Sequence, residues 1–114
     1  MRDDDARLLD MLLAAREAMT FVSRLTFLEF QRNRMAQLAV LKAVETVGEA
    51  ASRIGTDTRE AHPEIPWSGI IGMRHRLVHG YFSINLERVW ETARRDVPRL
   101  VSQLEALVPP EADP

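Results

Sequence analysis

The chain contains no cysteine, so disulfide bonds, thiolate nucleophiles and cysteine-ligated zinc sites are excluded. No apolar run approaches the length that crosses a membrane, and the first residues, Met-Arg-Asp-Asp-Asp, are too charged for a secretory signal. We therefore expect a cytoplasmic protein that does not contact membranes.

Glycine-rich phosphate loops, Ser-His-Asp arrangements, internal repeats and low-complexity tracts are also absent from the sequence. No segment alternates apolar and polar residues with the two-residue period of a strand. Hydrophobic residues make up 46% and charged residues 28%, as in an ordinary globular domain with one core. We expect one domain over residues 1–108 and a C-terminal tail over residues 109–114.

The overall charge is −2, from 15 basic and 17 acidic residues, which argues against a broad nucleic-acid-binding surface. The distribution is uneven, because no acidic residue lies between Glu64 and Glu87. This stretch contains Arg74 and Arg76, so positive potential is concentrated there. Chance is the alternative explanation, since acid-free stretches of this length are not rare in small chains.

Apolar residues recur at steps of three and four, which predicts helices along most of the chain. A first helix, from about Asp5 to Val22, follows from the stripe Leu8, Leu12, Ala15, Met19 and Val22. A longer helix, from about Arg32 to Ile54 with Gly55 as its C-cap, follows from the stripe Val40, Val44, Val47, Ala51 and Ile54. Small residues between these positions allow another helix to approach closely.

The second half of the chain is predicted to begin with a loop from Gly55 to Pro66. A short third helix follows, with Ser68 as its cap and its end near Gly80. A turn over residues 83–85 then leads to the last helix, which is capped by Asn85.

The last predicted helix contains Pro98, which must kink it or restart it with Asp96 as a new cap. Pro109 and Pro110 end this helix, and the tail that follows is expected to fray. The expected fold is therefore all-α, an up-and-down bundle of four to five helices.

One segment carries side chains suited to chemistry on RNA: Arg74, His75, Arg76, His79 and Tyr81. An arginine supplies a fixed cation, a histidine titrates near neutral pH, and a tyrosine adds a phenol. Cleavage of a phosphate ester needs a cation and a proton-transfer group of these kinds.

Helix geometry tests whether this segment can form one site. On an ideal helix, Arg74 and His79 would point about 140° away from each other, so they would not share a face. Either the helix loosens at its C-terminal turn before Gly80, or a second copy of the chain supplies the missing groups across a two-fold interface.

Three segments occur together: Val-Gly-Glu-Ala-Ala at residues 47–51, His-Pro-Glu-Ile-Pro-Trp at residues 62–67, and the spacing Arg74-x4-His79-x-Tyr81. In this combination they resemble the HEPN superfamily, specifically the HepT-type toxins that pair with a minimal nucleotidyltransferase antitoxin. The resemblance implies a HEPN-like helical bundle that forms a two-fold homodimer around a shared cleft. It also implies the toxin of a type VII-like toxin–antitoxin pair, an endoribonuclease that acts on RNA without a metal or cofactor.

The resemblance also implies roles for the motif residues. Arg74 would hold the scissile phosphate, and His79 would act as general acid or base on the 2′-hydroxyl or the leaving oxygen. Arg76 and His75 would add to RNA phosphate binding, although His75 stands where the family commonly has asparagine. Tyr81 resembles the tyrosine to which the partner nucleotidyltransferase adds AMP, which neutralises the toxin.

Structural interpretations of the same residues stay open. The Arg-His pair can be a solvated helix face, and Tyr81 can close a helix cap. His75 and His79 have the spacing of a zinc pair, but His62 or Glu64 would have to complete it, so we expect no metal site.

Three further residues are expected to be structural. Glu49 is expected to hydrogen-bond next to the motif arginine, and Trp67 and Trp90 are expected in the core or an interface. A non-catalytic nucleotide- or RNA-binding module, serving as partner and AMP acceptor for the nucleotidyltransferase, is the alternative function. Binding and cleavage need the same arginine, so the sequence separates neither these two functions nor the RNA that is cut.

Overall fold

Helices form nearly all of the secondary structure in the computed structural model, which describes residues 2–79 and 83–108 except the side chains of Arg2 and His79. The helices are α1 (Arg2–Ser23), α2 (Phe27–Gln31), α3 (Arg34–Ser52), α4 (Thr56–Ala61), α5 (Trp67–Ile71), α6 (Met73–Leu77), α7 (Leu86–Glu91) and α8 (Val97–Glu105). A π-helical segment, Thr92–Asp96, joins the last two. Strands β1 (Val78–His79) and β2 (Ser83–Ile84) form a short antiparallel pair. The predicted all-α bundle is confirmed.

The two long helices form the centre of the bundle. α1 packs along α3 and also against α8. The predicted apolar stripes are buried with one exception, Met19, which is half-buried. Alanines bring the two helices close together, because Ala15, Ala18 and Ala51 are completely buried and occupy little width.

A glycine sets the approach of α5 to α3. A Cβ atom at Gly48 would lie 3.0 Å from the backbone oxygen of Ile70, a distance that real Cβ atoms rarely tolerate. The backbone of α5 therefore lies directly on α3 at this point. Since α6 follows α5 after a single residue, this contact also places the motif helix over α3.

The prediction of Gly55 as the C-cap of the second helix was wrong. α3 ends at Ser52, and Gly55 lies at the start of α4 with an ordinary φ of −69°. The backbone N–H of Gly55 donates to the Asp4 carboxylate (3.2 Å), and the Thr58 hydroxyl donates to the same carboxylate (2.6 Å). The predicted loop thus contains a helix, which is attached to the beginning of α1.

The predicted third helix is divided and ends early. Pro66, not Ser68, occupies the N-cap position of α5, and Gly72 separates α5 from α6. The helix then stops at Leu77 instead of near Gly80, because Val78 is extended and pairs with Ile84. In addition, the backbone oxygen of Leu77 accepts a hydrogen bond from the N–H of Asn85 (2.7 Å).

The expected turn over residues 83–85 is replaced by β2, but Asn85 caps the next helix as predicted. Its side-chain oxygen accepts from the backbone N–H of Arg88 (3.1 Å). Asp96 occupies the N-cap position of α8 as predicted, but its side chain makes no capping hydrogen bond. Instead the helix widens into the π-helical segment just before Pro98. A proline ring collides with the carbonyl four residues earlier in a regular α-helix, so a widened turn relieves this collision.

Both tryptophans pack into the core or against it, as predicted. Trp67 is buried and donates from Nε1 to the backbone oxygen of His62 (3.0 Å). Trp90 is half-buried, packs against Phe27 and Phe30, and carries Arg94 over its ring.

The helices that the structure describes include none with both the length and the apolarity to span a membrane. Pro109, Pro110 and the predicted tail lie outside the described residues.

Candidate active site

The motif helix α6 is anchored by its two ends and exposes its middle. Met73 and Leu77 are buried, whereas Arg74, His75 and Arg76 between them are exposed. The spacing of four residues places the two apolar side chains on one face, toward the core. The three basic or titratable side chains therefore occupy the remaining surface of a single helical turn.

Arg74 forms an ion pair with a residue that the sequence analysis did not select. Its Nε donates a hydrogen bond to Oε2 of Glu45, which lies on α3. The Arg74 side chain is 64% exposed and that of Glu45 only 26%. One sequence signal could have indicated Glu45: it lies one helical turn before Glu49, just ahead of the segment at residues 47–51 that resembles the family.

A cleft of about 310 Å³ lies next to this ion pair, between α3 and the α5–α6 segment. Its lining residues are Lys42, Val44, Glu45, Gly48, Glu49, Ser52, Ile70, Ile71 and Arg74. Two cations and two carboxylates therefore surround the same space. The segment between Glu64 and Glu87 contains no acidic residue, but α3 places Glu45 and Glu49 beside Arg74 in the structure.

Glu49 lies beside the motif arginine and is hydrogen-bonded, as expected. It lines the cleft, but its carboxylate accepts from Arg53 one turn further along α3, at 3.4 Å. The carboxylate that bonds Arg74 itself is that of Glu45, one turn earlier on α3.

Arg76 is directed away from the Arg74 cleft. Its Nη2 donates to the backbone oxygen of Gly69 (2.9 Å), and it lines two other cavities, of about 250 and 530 Å³. Asp96 lines both of these cavities, and Arg99 lines the smaller one. Arg74 and Arg76 therefore do not converge on one phosphate-sized space, while His75 is exposed between them.

The predicted general acid or base and the predicted AMP acceptor follow α6. The backbone of His79 belongs to β1 and pairs with Ser83, but its side chain lies outside the described residues, as does all of Tyr81. The offset of 140° assumed a continuous helix and does not apply, because the helix ends at Leu77. Of the two alternatives in the sequence analysis, release from the helix agrees with this backbone.

The described residues do not form a cluster of candidate metal ligands. Within residues 2–79 and 83–108, no three carboxylate or imidazole side chains are close enough to hold an ion together. His62 lies beside Glu64, with Nδ1 3.4 Å from Oε2.

The exposed guanidinium of Arg74 offers planar N–H donors whose geometry suits the oxygens of a phosphate or a carboxylate. The family model described as "Ribonuclease HepT-like" matches residues 11–107, which includes all of α3 to α8. The chain therefore belongs to the HepT-like ribonuclease family, within the HEPN superfamily, and its enzyme class is endoribonuclease.

Individual relatives agree with this assignment. The chain is 36% identical over 104 residues to "Putative RNase MJ1380" of Methanocaldococcus jannaschii, covering 91% of this chain and 95% of the relative. It is 37% identical over 87 residues to "Probable ribonuclease HepT" of Thermococcus cleftensis, covering 76% of this chain and 79% of the relative. No solved structure matches the chain.

Proposed function

We propose that this chain is the toxin of a toxin–antitoxin pair and cleaves RNA without a metal ion. The observation that carries the proposal is the exposed guanidinium of Arg74, which borders a cleft of about 310 Å³ in a chain of the HepT-like ribonuclease family. A guanidinium binds two phosphate oxygens at once and keeps its charge at every relevant pH.

The proposed reaction is an in-line attack within the RNA strand. The 2′-hydroxyl loses its proton and forms a bond to phosphorus, the bond to the 5′-oxygen breaks, and that oxygen takes up a proton. His79 transfers one of these protons, which requires a group that titrates near neutral pH. Arg74 stabilises the negative charge that grows on the phosphate oxygens in the transition state.

The proposed assembly is a two-fold homodimer. Large apolar side chains are exposed on the first three helices: Leu13, Phe21, Leu28, Met35 and Leu38. Exposed apolar surface of this kind favours association with another protein surface. A second copy would place two motif segments beside one shared cleft, in agreement with the resemblance to dimeric relatives.

The proposed antitoxin is a minimal nucleotidyltransferase that adds AMP to Tyr81. In that reaction the phenol oxygen of Tyr81 bonds to the α-phosphorus of ATP, and pyrophosphate leaves. The product places a phosphodiester anion close in sequence to Arg74, where it would occupy the cation that RNA needs.

The test of the proposed function is cleavage of RNA by the purified chain. We expect the wild-type protein to cut a labelled single-stranded RNA equally with and without EDTA. Arg74→Ala, Arg74→Lys and His79→Ala should each lower the rate by about 10²-fold or more. The lysine variant should fail because an ammonium group lacks the planar fork of donors.

Glu105→Gln provides a matched control for these variants. Glu105 pairs with Arg16 between α8 and α1 at 3.0 Å, so the variant breaks an interhelical ion pair away from the motif. Its rate should equal that of the wild type. RNA that is bound but left intact by the wild-type chain would instead favour the non-catalytic binding module.

A further inference from the structure

Glu45 is the described residue whose side chain bonds the motif arginine. Its carboxylate accepts from Nε of Arg74, and only 26% of its side chain is exposed. Glu45 comes from the long central helix α3, whose position is fixed by packing against α1. Arg74 comes from a helix of five residues. The rigid partner in this ion pair is therefore the glutamate.

The pattern of donors leaves one edge of the guanidinium free. In the part of the chain that the structure describes, Arg74 makes a side-chain hydrogen bond through Nε alone. An arginine has five N–H donors, and the remaining four belong to the two Nη atoms. These two atoms together form the edge that matches two oxygens of a phosphate.

We propose that Glu45 is a positioning residue for RNA cleavage: it holds Arg74 by Nε and thereby presents both Nη groups to the scissile phosphate. The inference rests on the proposed function, because it assigns a role within that reaction. An exposed arginine without a partner samples many rotamers, so holding it in place lowers the entropy that is lost when the bound RNA reaches the transition state.

The carboxylate also affects which state of the substrate is bound best. The charge of Glu45 opposes the binding of an anionic phosphodiester at Arg74. The transition state carries more negative charge on the phosphate oxygens than the ground state, and the orientation of Arg74 matters most there. Glu45 should therefore weaken ground-state binding of RNA while it accelerates the chemical step.

Other charged groups around the cleft do not substitute for Glu45. Glu49 pairs with Arg53, and Lys42 can oppose but not orient a guanidinium. Glu45 is thus the described carboxylate that contacts Arg74 directly.

The experiment separates binding from chemistry in Glu45→Gln and Glu45→Ala. We expect kcat to fall about 10- to 100-fold in Glu45→Ala and less in Glu45→Gln, which keeps an acceptor oxygen for Nε. Affinity for an RNA with a 2′-deoxy sugar at the cleavage site, which cannot be cut, should rise about threefold or more in both variants. Glu105→Gln, the control ion-pair variant, should change neither quantity.

Two results would overturn the positioning role. One is a kcat for Glu45→Ala equal to or above that of the wild type, which would make Glu45 a bystander or an inhibitory contact. The other is a combined result in which Glu45→Ala loses both kcat and thermal stability while Glu45→Gln keeps a normal kcat. That result would make the role of Glu45 structural.

A second measurement does not depend on cleavage. Nitrogen-15 NMR detects the Nε–H group of Arg74, and the signal is assigned by its loss in Arg74→Lys. We expect slow exchange of this proton with water in the wild type and faster exchange in Glu45→Ala. If the wild-type chain leaves RNA intact, the proposed function fails, and the NMR result alone then decides whether Glu45 holds Arg74; equal exchange rates would overturn the contact.

Discussion

Gly48 and Ile70 meet backbone to backbone, since a Cβ at residue 48 would lie only 3.0 Å from the Ile70 oxygen. Gly48→Ala should therefore push α5 away from α3 and lower the free energy of unfolding by about 1–3 kcal/mol. It should also slow RNA cleavage, because α6 and Arg74 follow α5. Urea unfolding monitored by circular dichroism measures the first effect.

Gly69→Ala is the matched control for this prediction. A Cβ there would meet its nearest neighbour, the end of the Arg76 side chain, at 3.9 Å. Alanine favours helix over glycine, so this variant should be as stable as the wild type or slightly more so. Equal stability of the two alanine variants would contradict the close packing at Gly48.

Asp4 should make the stability of the domain depend on acid pH. The hydrogen bond from Thr58, and after it the one from Gly55, lowers the pKa of Asp4 below its ordinary value. A carboxyl whose pKa is lower in the folded state stabilises that state above its unfolded pKa. This stabilisation is lost as pH falls through the lower, folded pKa.

The Asp4 effect is measured by urea unfolding between about pH 6 and pH 2.5. Relative to the wild type, Thr58→Val should be less stable at pH 6, and the difference should shrink toward pH 2.5. Asp10→Asn, on the same helix, is the control, because no hydrogen bond to the Asp10 side chain is present within the described ranges. If Thr58→Val lowers the free energy of unfolding by the same amount at every pH, the proposed link between the pKa of Asp4 and stability would be contradicted.

The exposed apolar side chains on α1 and α3 lead us to expect that a charged substitution there weakens the proposed homodimer. We expect light scattering at micromolar concentration to give the mass of two wild-type chains. Leu38→Glu should shift the mass toward one chain, because a carboxylate would be buried without a partner in the interface. Its melting temperature at low concentration should match that of Arg34→Glu at the start of the same helix. A wild-type mass of one chain would contradict the dimer.

Tyr81 is expected to be the point of control by the antitoxin. After co-expression with the proposed nucleotidyltransferase antitoxin, intact mass and peptide mapping should show one AMP on Tyr81 and no RNA cleavage. Tyr81→Phe removes the acceptor oxygen, so this variant should escape silencing by catalytic transfer. Full neutralisation of the wild type without modification of Tyr81 would place control elsewhere.

The long helices were predictable because their information is local. α1 and α3 each contain several turns of regular apolar spacing, and their predicted bounds agree with the structure within a few residues. α2 has five residues, too few for a period, although a capping box formed by Thr26 and Glu29 marks its start.

The candidate site was predictable only in part. Arg74 was identified from the motif and does border a cleft, whereas Glu45, its partner, lies 29 residues earlier in the chain. Contacts over such distances depend on the packing of α5 on α3, which helical periodicity does not contain. The end of α6 at Leu77 was missed for the same reason, since strand pairing with Ile84 decides it.

The change from helix to strand at Leu77 makes spacing more important than composition in this segment. A helix advances about 1.5 Å per residue and a strand about 3.3 Å, and successive strand residues point to opposite sides. Deleting one residue between Arg74 and His79 would therefore shorten the path and reverse the face of every strand position after it. An insertion or deletion among the four intervening residues should therefore lower RNA cleavage more than a substitution that keeps Leu77 apolar.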